Sequence, residues 1–219
     1  CKLRLFLKLV AQIENLKDIE PLPDIDFNIR AGNTLVGFTS IGEVKRAAER
    51  ESTGQVKLLF GEMEQMLSRI EEEAGLADSA FRMFHRMQTE QGMSPQDFTA
   101  AKENLRTRLR SLTGELDRYL AGEYGIDRGN ITNKNKYEEA FAKWCKSHQP
   151  FHWFAEFYGI LKAGGFDVII GNPPWVEYSA VKKSYSIHNY ETESCGNLHT
   201  ICTERSIRLR SSMGSLSFI

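Results

Sequence analysis

The residues whose types and spacing could do chemistry sit together at Gly171-Asn172-Pro173-Pro174-Trp175. Two consecutive prolines fix the backbone and remove two N–H donors, so the main chain there can only accept hydrogen bonds. Asn172 adds a side-chain acceptor, and Trp175 adds a flat aromatic face. Acceptors for an amino group beside a stacking plane suit a planar nitrogenous base taken out of its duplex. The structural alternative is a rigid strand-to-loop turn ending in a core Trp.

Positioning such a group is the task of a strand that ends beneath it. Phe166-Asp167-Val168-Ile169-Ile170 is a near-continuous apolar run between Gly164-Gly165 and Gly171. That is the pattern of a strand buried on both faces of a parallel sheet. Ligands of open parallel sheets bind beyond the carboxyl ends of the strands, which is where Asn172 falls. Asp26-Phe27-Asn28-Ile29-Arg30 alternates polar and apolar before Ala31-Gly32-Asn33 and predicts another strand. Gly214-Ser215-Leu216-Ser217-Phe218-Ile219 repeats the turn-then-strand form. Leu198, Ile201, Cys202, Arg205 and Leu209 predict a helix with one buried face between the last two strands. Leu3, Phe6, Leu7, Val10 and Ile13 mark a further helix over Cys1–Leu16. The alternation of strands and helices predicts an α/β fold with right-handed crossovers.

The middle of the chain reads differently. Prolines fall at Pro21, Pro23, Pro95, Pro150, Pro173 and Pro174, so a long central stretch holds only one. Val56, Leu59, Met63, Met66, Leu67 and Ile70 step by three or four, as on one face of a helix. Ser94-Pro95-Gln96-Asp97 is an N-cap, a first-turn proline and a first-turn acid, and it opens a helix through Phe98, Ala101, Leu105, Leu109, Leu112, Leu116 and Tyr119. Tyr137, Phe141 and Trp144 mark a third. Residues 41–149 are thus expected to be a helical insert, a hairpin or small bundle. Residues 1–40 and 150–219 remain as two parts of one core.

Composition bounds the answer without deciding it. The 219 residues are 41% hydrophobic and 26% charged, the balance of an ordinary globular chain. Twenty-eight basic against 29 acidic side chains argue against a purely electrostatic nucleic-acid binder. No apolar stretch reaches 18 residues, which argues against a membrane helix. Cys1, Cys145, Cys195 and Cys202 fit no zinc spacing and read as reduced thiols. The chain opens Cys1-Lys2-Leu3 without a Met and ends on apolar Ser217-Phe218-Ile219, so a piece of something longer, cut inside its own sheet, is expected.

The run from Phe166 to Trp175 resembles motif IV of the S-adenosylmethionine-dependent amino-methyltransferases. It is most similar to the adenine-specific DNA methyltransferases of the type IIG restriction–modification kind. Pro150-Phe151-His152-Trp153-Phe154, a short helix ahead of the strand, resembles a flank of that group. So do Lys2 to Val10 and Leu22 to Ile29. Gly32-Asn33-Thr34-Leu35 resembles motif III, and Gly196-Asn197-Leu198 resembles the helix start after motif IV. The resemblance covers about 1–40 and 150–219.

The resemblance implies a Rossmann-like methyltransferase core, incomplete here and interrupted by the all-helical insert. It implies S-adenosylmethionine as cofactor and double-stranded DNA with a flipped adenine as substrate. Asn172 and the carbonyl of Pro173 would accept from the adenine amine, Pro174 would keep the turn rigid, and Trp175 would stack on the ring. Asn33 falls where the family has an Asp contacting the cofactor adenine. Asn197 also replaces a frequent Asp, and Trp175 the commoner Tyr. No glycine-rich F-x-G-x-G loop occurs in the sequence. A cytoplasmic bacterial setting is implied as well, with other domains or subunits of a restriction–modification complex as partners.

Weaker signals have plainer explanations. Pro23-Asp24 with Glu43-Val44-Lys45 matches a restriction-nuclease pattern, but the run after Glu43 looks helical rather than strand-like. No metal site is expected. His85 and His148 read as helix histidines, His152 as packing at the strand entry, and His188 and His199 lie near the expected pocket without a carboxylate partner. Lys182-Lys183-Ser184-Tyr185 suits phosphate contact or a solvated loop equally well. The rival to an enzyme is a non-catalytic helical interaction or DNA-binding module on a truncated core. Within the enzyme class, methylation of protein glutamine or ribosomal RNA uses the same tetrapeptide.

Overall fold

The computed structural model describes residues 2–13, 27–52, 60–89 and 94–219. In order they form α1 (Lys2–Val10), α2 (Ile41–Ser52), α3 (Phe60–Thr89), α4 (Pro95–Glu123), α5 (Lys134–His148), α6 (Trp153–Glu156), α7 (Tyr158–Lys162), β1 (Phe166–Gly171), α8 (Tyr178–Val181), a 3-10 turn (Glu191–Cys195), α9 (Leu198–Leu209) and β2 (Arg210–Phe218). The cap expected at α4 forms as read: Ser94 Oγ accepts from the Asp97 N–H at 3.1 Å, with Pro95 in the first turn. The α9 helix spans the predicted residues, with Leu198, Ile201, Arg205 and Leu209 buried and Cys202 half-buried. Val56 and Leu59 of the predicted helical stripe lie outside the described residues, as do Cys1 and Pro23-Asp24.

The helical middle is built on α3 and α4, which pack along each other. Leu105, Leu109, Leu112, Leu116 and Leu120 make one buried stripe of α4, spaced by three or four residues as an apolar helix face requires. Part of that stripe closes on Ile70 and Ala74 of α3, and the same cluster reaches Trp144 of α5, Phe154 of α6 and Ile201 of α9. A smaller cluster joins Phe27, Ala77, Phe84, Leu105 and Leu109.

Two expectations need correcting. The strand predicted over Asp26–Arg30 does not form: residues 27–30 make a turn and bend, and Asp26 lies outside the described residues. Phe27 is instead buried edge-on against Phe84 at 5.1 Å, and Arg30 pairs with Glu156 at 2.9 Å. The apolar half of the alternation is consumed by a helix pair, so no sheet is needed to cover it. The second correction concerns β1, predicted to be buried on both faces. Val168 is 60% exposed and Ile170 70%. Among the described residues the sheet has two strands, β1 paired parallel to β2, and an apolar run stays covered only where another layer lies over it.

The register runs Val168 against Ser215 and Gly171 against Phe218, with a bulge between Phe166 and Val168. Glycine is needed where the strands touch. Gly165 has φ +110°, and a Cβ there would sit 2.6 Å from the Leu209 carbonyl oxygen. A Cβ on Gly214 would sit 2.6 Å from the Phe166 carbonyl oxygen.

Residues 33–38 bind to residues 149–154 across the length of the helical middle. Asn33 N–H donates to the Gln149 carbonyl at 2.7 Å, Phe151 N–H to Val36 at 2.7 Å, and Phe154 N–H to Phe38 at 3.1 Å. Gly37 has φ +144°, and a Cβ on it would meet the Phe151 carbonyl oxygen at 2.0 Å. Only glycine allows so close an approach. His152 is buried against Phe38 and α4: it accepts at Nδ1 from the Phe38 N–H (3.2 Å) and hydrogen-bonds Asp117 of α4 through Nε2 at 3.0 Å. Since Nδ1 accepts, the proton sits on Nε2 and donates to the carboxylate.

Arg205 of α9 closes this arrangement. Its guanidinium is buried, donates to the carbonyls of Leu35 and Gly37 at 3.1 Å each and to Tyr190 Oη at 2.6 Å, and faces Glu43 of α2 at 3.8 Å. Tyr190 in turn donates to the Leu35 carbonyl at 2.8 Å, and burial pushes its phenol up to about 12. Removing one partner of such a buried set leaves the others desolvated and unpaired, at about 3–5 kcal/mol. Arg205→Ala should therefore lower the free energy of unfolding by about that amount in urea titration.

Candidate active site

Gly171 ends β1, and the chain then leaves the sheet through Asn172, Pro173 and Pro174. Pro173 is buried and anchors the turn, while Asn172 and Pro174 are exposed. These three line an open, largely apolar cleft of about 420 Å³. Its other walls include Thr34, Trp153, Cys202, Ser206 and Phe218. The cleft thus runs along β1 itself, from Phe166 through Val168 and Ile170 to Gly171, and continues past its carboxyl end to Pro174, with Thr34 and one side of α9 as further walls.

The sequence-predicted residues are not all brought to one wall. Asn33 does not line the cleft; its neighbour Thr34 does. The Asn33 Oδ1 accepts from the Leu35 N–H at 3.1 Å, a local turn bond. A hydrogen bond with Asn33 also partly offsets the rise that burial imposes on the Tyr185 phenol. Trp175 lies outside the cleft lining and is 75% exposed. One of its faces stacks on His199, with ring centroids 4.5 Å apart and planes at 28°.

Backbone bonds fix the segment after Trp175. Leu198 N–H donates to the Val176 carbonyl at 2.9 Å, and Tyr178 N–H to Gly196 at 2.7 Å. Gly196 turns at φ +71°, and Asn197 caps α9 by accepting the His199 N–H at 2.8 Å. The expected helix start at Gly196-Asn197-Leu198 therefore forms, and it is tied directly to the residues that follow the tetrapeptide. Sequence reasoning passed over Thr34, Ser206 and Phe218 as cleft residues. Ser206 was legible in principle: Cys202, Ser206 and Leu209 follow one another at helical spacing on α9.

Glu43 and Lys45 lie on α2, a helix as expected, so they do not form the strand pair that the nuclease pattern requires. Among the described residues no group of three His, Cys, Asp or Glu could hold a metal ion, and no helix is long and apolar enough to cross a membrane.

The Eco57I restriction-modification methylase family matches residues 1–219. The chain belongs to that family. A relative from Methanocaldococcus jannaschii, named "Putative type II restriction enzyme and methyltransferase RM.MjaORFECS2P", is 28% identical over 200 residues. The match covers 80% of this chain but 17% of the relative, so the chain spans about one sixth of that protein's length. No solved structure matches the chain. The restriction-modification methylase family spans both the helical middle and the flanks that carry the tetrapeptide, and a methylase requires a methyl donor.

The loop beyond the site is held by His148, at the end of α5. Its Nε2 accepts from the Ser186 N–H at 3.1 Å, so the neutral ring carries its proton on Nδ1, 3.3 Å from the Trp144 carbonyl. Burial lowers its pKa below the ordinary value, and the neighbouring His188 lowers it further, while the Trp144 carbonyl opposes both. An unfolded chain then takes up the proton more readily than the folded one. The stabilisation is complete above about pH 6.5 and is lost as pH falls through the depressed folded value. The urea midpoint should drop between pH 7.5 and 5.5, and His148→Gln should flatten that drop.

Proposed function

We propose that this chain carries the base-binding face of a DNA methyltransferase that moves a methyl group to the exocyclic N6 of a flipped adenine. The observation that carries this reading is Asn172-Pro173-Pro174 lining an open apolar cleft that runs along a parallel strand and past its carboxyl end. In this reading the Asn172 side chain and the Pro173 carbonyl accept from the two amine hydrogens. That draws the nitrogen lone pair out of the ring and holds the amine in line for attack. Positioning of this kind, rather than a strong base, supplies the rate. Trp175 stacks on the extruded ring, and unstacking from the duplex is offset by that contact.

The donor proposed is S-adenosylmethionine, which when bound supplies an activated methyl. The described residues do not make a full cradle for it. Thr34 stands at the cleft, but the Asn33 acceptor is already engaged, and no carboxylate lines the cleft to receive ribose hydroxyls. The sequence also lacks the glycine-rich loop its resemblance leads one to expect. We therefore read the chain as part of a longer enzyme, in keeping with its 17% share of the relative. Residues 1–40 and 150–219 would be parts of its core and 41–149 a helical insert. Such an enzyme would act in the cytoplasm within a restriction–modification or phage-defence system, alongside other domains or subunits.

Two measurements test this. In the full-length protein, Asn172→Ala should abolish adenine methylation, read by mass spectrometry of digested DNA, while DNA binding survives in a gel-shift assay. Unchanged methylation would refute the site. The 219 residues alone should show no tight binding of S-adenosylmethionine by calorimetry, and a micromolar Kd would overturn the partial-cradle reading.

A further inference from the structure

We propose that His199 is a positioning residue for the base-binding plane: it backs one face of Trp175 so that the opposite face is held ready for a flipped base. This rests on the functional reading above and adds a residue to it.

An aromatic side chain that is 75% exposed would ordinarily sample several rotamers, and a stacking platform that wanders binds poorly. One face of the Trp175 ring is backed by another ring. His199 stacks on it at 4.5 Å, and Phe218 meets His199 edge-on at 5.7 Å. Phe218 is the register partner of Gly171, and a Cβ on Gly171 would come within 3.0 Å of its ring. Ile219 N–H also donates to the Gly171 carbonyl at 3.1 Å. The three rings thus form a closed path around the tetrapeptide. Gly171 at its start lies on Phe218, Phe218 supports His199, and His199 supports Trp175 at its end. Asn172, Pro173 and Pro174 span the interval between two fixed points.

The backbone of His199 is anchored, and its ring is held between Trp175 and Phe218. Asn197 Oδ1 receives its N–H at 2.8 Å, and its carbonyl accepts from Thr203 Oγ1 at 2.9 Å. What His199 contributes is therefore a flat ring of fixed orientation, and another flat ring should substitute for it.

The test uses the full-length protein, tritiated S-adenosylmethionine and genomic DNA from a strain without methyltransferases. An aromatic pair is worth about 0.5–1.5 kcal/mol, or about twofold to tenfold in rate. His199→Ala should lower kcat/KM for DNA by that factor, and His199→Phe should restore most of it. Tryptophan emission gives a second readout. His199→Ala should change the emission of the parent but not of a Trp175→Phe background, because Trp175 is the indole on which His199 stacks. Equal activity in His199→Ala and the parent overturns the proposal, as does a His199→Phe protein no better than His199→Ala. If His199→Ala fails to fold, His199→Phe against His199→Gln decides: Phe active and Gln impaired supports the role, and equal activities overturn it. Asn172→Ala separates the two levels. If it is inactive while His199→Ala is normal, only the role of His199 falls; if it remains active, the underlying site reading falls.

Discussion

The buried guanidinium of Arg205 is the constraint on which the rest of the structure depends. Desolvating an arginine is costly unless its donors and charge are met; here Nε and Nη2 are hydrogen-bonded, while buried Nη1 makes no hydrogen bond and is offset by the Glu43 carboxylate at 3.8 Å. The Leu35 and Gly37 carbonyls belong to the loop after Asn33, Tyr190 to the loop after the cleft, and Glu43 to α2. These contacts hold α9 in its docked position. That position aligns the side of α9 carrying Cys202 and Ser206 with the cleft and brings its first turn to Trp175. Glu43 is shared further: it accepts from the Thr39 N–H at 2.7 Å and pairs with Arg208 at 3.4 Å. One carboxylate therefore joins the start of α2 to the end of α9.

The site inherits its order from backbone contacts rather than from side chains in the cleft. Gly37 lies so close to Phe151 that the two segments can meet only as main chain on main chain. His152 then extends the contact into the helical middle through Asp117. The helical residues are thus packed into the same core that supports the strand leading to Asn172, since Leu116, Trp144 and Ile201 share one cluster.

Legibility in the sequence followed the range of the forces involved. The Ser94 cap, the leucine stripe of α4 and the extent of α9 are set within a few residues, and each was readable from spacing alone. The helical nature of Glu43-Val44-Lys45 was readable for the same reason, and with it the weakness of the nuclease pattern. The family was recognisable because the run from Phe166 to Trp175 matches a known motif, and the chain does belong to a restriction-modification methylase family. What failed was the inference from pattern to environment. Phe27 alternates with polar neighbours as in a strand, yet its partner is Phe84, 57 positions away in the sequence and invisible to any local window. Val168 and Ile170 read as buried because apolar runs usually are, but burial depends on what lies over the strand. The engagement of Asn33 in a turn bond, and the pairing of Trp175 with His199, also join residues whose relation only the folded chain fixes.

The open side of β1 has a practical corollary. A strand carrying exposed Val168 and Ile170, next to a β2 that exposes Met213, offers both an unshielded apolar surface and main-chain groups suited to pairing. Such a surface is adhesive. Pairing there would cover Val168 and Ile170, which also wall the cleft, while leaving Arg205 untouched. A lysine placed at Val168 or Ile170 would act as a gatekeeper against such pairing and leave the buried core unchanged, but it would also alter the cleft wall.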